Sequence, residues 1–149
     1  MSGNARHKLR LLAVALCAAA FVAAGCGGNS DYRDKVNDAA KDFKQTSQAA
    51  SAKMRASSSE AQFLKAATQF EAAIHALTAR LEKLKPPDGA EKAHARLIKV
   101  LKDFARDFDG IRAARKKGDI QRIHQLEGKI VSDVGAVQSA QKELDDATD

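Results

Sequence analysis

Seven residues between positions 63 and 84 constrain the fold more than any other stretch of the chain. Phe63, Ala67, Phe70, Ile74, Leu77, Leu81 and Leu84 follow one another at steps of four, three, four, three, four and three. An α-helix has 3.6 residues per turn, so this alternation puts every member on one stripe. A half-buried strand would instead need a step of two. The spacing predicts a helix over about 60–85 with an apolar seam that other helices must cover.

The rest of the chain supplies those helices. It has no Trp, one Tyr and six Phe, and its only prolines are Pro86 and Pro87. The two prolines stop the helix, since neither offers an amide hydrogen and Pro87 drives Pro86 out of the helical region. Asp88, with Glu91 three residues on, has capping-box spacing and is expected to start the next helix, about 89–117. Ala90, Leu97, Leu101, Phe104, Phe108 and Ile111 would face inward there, flanked by Ile98 and Val100. Gly118 suits a helix C-terminus and Asp119 an N-cap, which opens a last helix over about 120–147. Its stripe is Ile123, Leu126, Ile130, Val134, Val137 and Leu144. Gly128 and Gly135 each cost that helix about 1 kcal/mol against Ala, and they are expected to let a neighbouring backbone come close. The acidic end, with Glu143, Asp145, Asp146 and Asp149, is expected to fray.

Upstream, Ser30 is a candidate cap, and Asp31 and Asp34 complement the dipole of a helix over about 31–56. Its inward residues would be Tyr32, Val36, Ala39, Phe43, Ala50 and Met54, a thin face with Thr46 and Ser47 in its middle. Ser57 to Ser59 break the pattern, and Ser59 with Gln62 forms a second capping box. A more continuous pair of first helices is the alternative. Four helices with short connections predict an all-α, up-down-up-down antiparallel four-helix bundle. The same steps also fit an extended coiled coil or a dimer seam. No sustained repeat argues for a solenoid.

The N-terminus has a different character. Arg6, His7, Lys8 and Arg10 precede a run without charge from Leu11 to Ala24. A basic head and an apolar region of this size have the form of a secretion signal. The run is short for a permanent membrane span, which needs about 20 apolar residues. Next comes Ala23-Ala24-Gly25-Cys26. This stretch resembles the lipobox of bacterial lipoproteins. The lipobox favours Leu three residues before the Cys, where this chain has Ala23. The resemblance implies cleavage between Gly25 and Cys26 and a diacylglyceryl group on the Cys26 sulfur. It also implies a lipid-anchored chain on the extracytoplasmic face of the cell membrane. The plainer alternative is secretion with cleavage near Ala24 and a free thiol at Cys26. The resemblance rests on residues 6–28. For the helical domain, small lipoproteins of bacterial envelopes offer only a general likeness and no activity.

Cleavage changes the bookkeeping. Cys17 leaves with the leader and an acylated Cys26 is consumed, so the mature domain folds without disulfides. Arg6, Lys8 and Arg10 leave too, so a precursor of net charge +6 becomes a mature chain with 22 basic and 19 acidic residues. A near-balanced, exported chain does not point to nucleic acid. Gly27, Gly28, Asn29 and Ser30 form a short tether.

Catalytic motifs are scarce. No serine sits in a nucleophile elbow, no glycine loop suits a phosphate, and no Cys-x-x-Cys-His exists for covalent haem. The one metal-like signal is Glu91-Lys92-Ala93-His94, half of a ferritin-like Glu-x-x-His pair. The other half is missing: His124 and Glu127 have the reverse order, and Glu71 and His75 are one residue too far apart. His75 and His124 read as partly exposed helix residues. Glu91 and His94 therefore read as a cap and a boundary histidine, with no cofactor expected. A metal- or cofactor-binding bundle is the alternative function. A second signal is the run of cations Lys92, Arg96, Lys99, Lys102, Arg106, Arg112, Arg115, Lys116, Lys117 and Arg122. Some recur at helical steps and are candidates for contact with an anionic envelope polymer or headgroups. Asp103, Asp107 and Asp109 among them fit an ordinary solvated face equally. The leading expectation is a non-catalytic binding or structural module of the cell envelope, contacting membrane lipid through Cys26 and an envelope protein or polymer through the bundle. A carrier with a small apolar pocket, opened by movement of the first helix, is a further option.

Overall fold

A computed structural model describes residues 30–149. Four helices account for most of them: α1 (Ser30–Ala56), α2 (Glu60–Leu81), α3 (Glu91–Lys117) and α4 (Ile120–Thr148). Among the described residues there is no strand. Each helix packs against the next, α1 on α2, α2 on α3 and α3 on α4, in antiparallel order. The first and last helices are tied at one end, where Arg33 Nη1 donates to the Thr148 carbonyl at 3.2 Å and Nη2 pairs with Asp149 at 2.7 Å.

Local chemistry sets the boundaries. The Ser59 hydroxyl accepts from the Gln62 amide, and the Gln62 side chain accepts from the Ser58 amide, so a separate helix starts at Glu60. Gly118, at φ 68°, closes α3 in the left-handed conformation that glycine adopts without a Cβ penalty. Asp119 then caps α4 by accepting from the Arg122 amide at 2.9 Å.

Two boundaries differ from the sequence reading. The second helix ends at Leu81, and a turn through Leu84 bridges to the prolines. The third helix has Ala90 as N-cap, with no side-chain cap, instead of Asp88. Glu91 does not close a capping box. Its carboxylate accepts from the Gly89 amide, while the Ala90 amide bonds the Pro87 carbonyl. Gly89 sits at φ 91°, so the chain turns into α3 through glycine geometry.

The α2 stripe from Phe63 to Leu81 is buried throughout, and Leu84 packs against it half-buried. Four phenylalanines from three helices meet around Phe70: its ring centroid lies 6.4 Å from Phe43, 6.3 Å from Phe104 and 5.0 Å from Phe108. The thin middle of α1 is buried with small residues. Ser47 is fully enclosed, and its hydroxyl donates to the Lys44 carbonyl one turn back.

Two further expectations are overturned. The acidic end is helical to Thr148, which is buried, with Arg33 holding the last turn. Gly128 and Gly135 are exposed, and a Cβ at either would meet nothing within 4 Å. The close approach occurs at Gly110, where a Cβ would stand 3.0 Å from Leu126 Cδ1. Gly128→Ala and Gly135→Ala should therefore each stabilise the bundle by roughly 0.5–1 kcal/mol, by lowering the entropy of the unfolded chain. Urea unfolding checks this. A loss of stability at either position would mean that its backbone lies against something.

Candidate functional site

Gly25 and Cys26, the proposed cleavage and attachment positions, lie outside the described residues, as does the rest of the leader. No described helix is long and apolar enough to cross a membrane.

Glu91 and His94 share the first turn of α3 but not a ligand sphere. Glu91 is exposed and engaged with the Gly89 amide. His94 points inward, 6% exposed, with Nδ1 hydrogen-bonded to the Tyr32 hydroxyl of α1 at 2.7 Å and the rings edge to face. Burial pushes the His94 pKa below the ordinary histidine value, and the Leu81 carbonyl acts weakly in the opposite direction. Burial raises the Tyr32 hydroxyl to about 12. A proton on Nε2 leaves Nδ1 to accept from Tyr32, so the pair is satisfied when both are neutral. The other two histidines among the described residues are exposed. His75 lies 3.7 Å from Glu71 and His124 lies 3.3 Å from Glu127. Among the described residues no three His, Cys, Asp or Glu side chains converge as metal ligands would.

The cations of α3 do not form one free face. Arg96 pairs with Glu143 of α4, Lys102 with Glu82 beyond α2, and Lys99 with Asp103 on its own helix. Arg106 reaches Asp103 at 2.9 Å, and Arg112 reaches Glu71 at 3.1 Å and Asp109. Arg115 bonds Glu60 at 3.0 Å while its guanidinium lies 4.3 Å over the Phe63 ring. These contacts knit neighbouring helices and leave Lys116 and Lys117 at one end of α3 and Lys92 at the other.

The fold instead sorts charge along the bundle axis. Antiparallel order brings the α1–α2 and α3–α4 connections to the same tip, as the Arg115–Glu60 pair shows. The two segments there, 53–65 and 112–122, carry eight basic residues and two acidic ones. Glu60 is held by Arg115, and the Asp119 carboxylate caps α4. At the opposite end, segments 30–38, 82–92 and 142–149 carry six basic and ten acidic residues. A shallow concavity of about 370 Å³ opens at the basic tip between the end of α1 and the start of α2. Lys53 and Lys65 stand on its walls, with Ser57, Gln62 and Gln69 between them. Reading the sequence helix by helix missed Lys53, Arg55 and Lys65, because they join Lys116 and Lys117 only through topology.

Two other features lie along the helices. A groove of about 420 Å³ runs between α1 and α2, floored by Phe43, Leu77 and alanines and bounded by the Asp42–Arg80 ion pair. Between α3 and α4, buried Asp107 bonds Lys129, and Asp133 stands nearby with Oδ2 buried and unbonded. Burial first, and the Asp107 charge second, raise the Asp133 pKa. Lys129 and Arg106 neutralise Asp107, and the arrangement reads as an interhelical brace.

In comparisons with known proteins, the chain matches no family model, no curated sequence and no solved structure.

Proposed function

We propose that the protein is a lipid-anchored module of a bacterial cell envelope, held outside the cytoplasmic membrane by Cys26 and acting by binding, not catalysis. The observation that carries this reading is Ala23-Ala24-Gly25-Cys26, set directly after a basic head and a charge-free run. Two acyl chains on one sulfur give stable attachment, whereas one gives only marginal binding. The domain supports a binding role. Its histidines bond a tyrosine or neighbouring glutamates, and none is placed against a serine as a general base would be. Its exposed features are a basic tip and an apolar groove.

The test is the intact mass of the protein extracted from membranes. A chain that starts at Cys26 and carries diacylglyceryl mass is expected, and Cys26→Ser should abolish both the modification and membrane retention. A chain that keeps residues 1–25, or an unmodified Cys26, overturns the reading.

A further inference from the structure

We infer that the basic tip is a binding surface for a linear polyanion with phosphate groups along its backbone. Six cations there, Lys53, Arg55, Lys65, Lys116, Lys117 and Arg122, are exposed, and none has a carboxylate partner among the described residues. Lys53 donates only to the Gln69 amide oxygen and Arg122 only to that of Gln125. Elsewhere the exposed lysines without a carboxylate partner, Lys41, Lys44, Lys83, Lys85 and Lys92, are interspersed in sequence with acids, Asp38 and Asp42 around the first two and Glu82, Asp88 and Glu91 around the others. Arg80, Arg96, Lys102 and Arg112 each find an acid on another helix or loop. What sets the tip apart is that its unpaired cations have no spare acid among them, because the two acids it contains are spent on Arg115 and on the α4 cap.

Clustered like charges repel within a Debye length, about 8 Å at physiological salt. An anion laid across the tip relieves that repulsion and releases counterions. The lysine-walled concavity gives one anionic group a seat, with the Ser57 and Gln62 side chains beside it. Lys116, Lys117 and Arg122 sit across the tip, on the end of α3 and the start of α4, so a ligand reaching both must be extended. Four of the six are lysines, compact point charges that suit phosphate oxygens. Lysine binds phosphate as a point charge and needs no fixed fork geometry, which suits an extended chain without a single register.

Orientation favours a polymer over the protein's own bilayer, and this step rests on the anchored reading. The tether enters at the start of α1, whereas the basic tip lies at its far end. Twenty-seven residues at 1.5 Å each put about 40 Å between them. The acidic end stands next to the anchor, and the basic end reaches away from it.

The test uses the full chain in non-ionic detergent and end-labelled inorganic polyphosphate, read by fluorescence anisotropy. Saturable binding is expected, with log affinity falling against log salt at a slope of about 4, from six neutralised phosphates at about 0.7 each. Each cation near an anionic surface is worth about fivefold. Lys53→Gln, Lys65→Gln, Lys116→Gln and Lys117→Gln together should weaken binding several-hundred-fold. The matched set at the other end, Lys83→Gln, Lys85→Gln, Lys92→Gln and Lys142→Gln, removes the same net charge and should change affinity less than threefold. All eight positions are exposed, and an unchanged thermal midpoint confirms that both variants fold. Equal loss in the two sets, or no saturable binding at 100 mM salt, would overturn the inference. So would phosphatidylglycerol-doped micelles that displace polyphosphate at equal phosphate, since the tip would then be a bilayer contact. None of these results depends on the Cys26 mass, so failure of the tip and failure of the anchor are separable.

Discussion

Phe70→Ala is expected to lower the unfolding free energy by about 4 kcal/mol, the largest single loss available in this domain. Phe70 is 1% exposed and is the residue on which three helices converge. Truncating a buried Phe costs roughly 3–5 kcal/mol through lost transfer energy plus the cavity. Aromatic pairs add about 0.5–1.5 kcal/mol beyond buried area, and Phe70 makes three of them. A domain of this size has about 5–15 kcal/mol in total, so the variant should stand near its unfolding limit. Phe43→Ala is the internal comparison. Phe43 is half-buried at the rim and contacts only Phe70 among the rings, so it should cost less than half as much. Urea unfolding followed by circular dichroism measures both. Equal costs at the two positions would show that the rings do not converge on Phe70.

The contrast between those two rings shows what the sequence makes legible. The α2 stripe could be read directly, because an uninterrupted three-four alternation has only one helical solution and its members are buried together. The α1 stripe could be read only in part. Ser47 and Ser51 are buried although hydropathy places them outside, as is Thr78 of α2. Ser47 and Thr78 satisfy their hydroxyls on carbonyls of their own helices, so their burial leaves no unpaired group for a pattern to detect. The third-helix cap failed for a similar reason. Asp88 and Glu91 have the right spacing, but Gly89 at positive φ redirects the chain and Glu91 satisfies the Gly89 amide instead. The cations form a run along one helix, but their fate is decided across helices. Glu143, Glu82 and Glu71 come from other segments and neutralise Arg96, Lys102 and Arg112. The densest cluster of exposed, unpaired cations is the tip, assembled from segments about 50 residues apart. Only the order of the helices brings them together.

Tyr32 and His94 give the second large effect, and it carries a pH signature. Tyr32→Phe removes the hydroxyl that occupies His94 Nδ1 and leaves that nitrogen buried without a partner, a cost of about 2 kcal/mol at pH 8. The two titrations then report the burial of each partner, one limb for each. His94 binds its proton more weakly in the folded chain than in the unfolded one. Its contribution is therefore complete above the unfolded value of about 6.5 and is lost as pH falls from there through the lowered folded value. Tyr32 behaves in the opposite sense. Its folded pKa stands at about 12 against an ordinary 10, so its contribution is complete below pH 10 and is lost between 10 and 12. Tyr32→Phe should erase the alkaline loss and keep the acid one, because burial of the ring is the first cause of the His94 shift. His94→Leu should do the reverse, abolishing the acid loss while Tyr32 still resists ionisation in its buried site. Unfolding free energies at pH 5, 8 and 11 for the wild type and both variants measure all three limbs. If the alkaline loss survives in Tyr32→Phe, it does not come from Tyr32, and the hydroxyl is less buried between the starts of α1 and α3 than the structure places it.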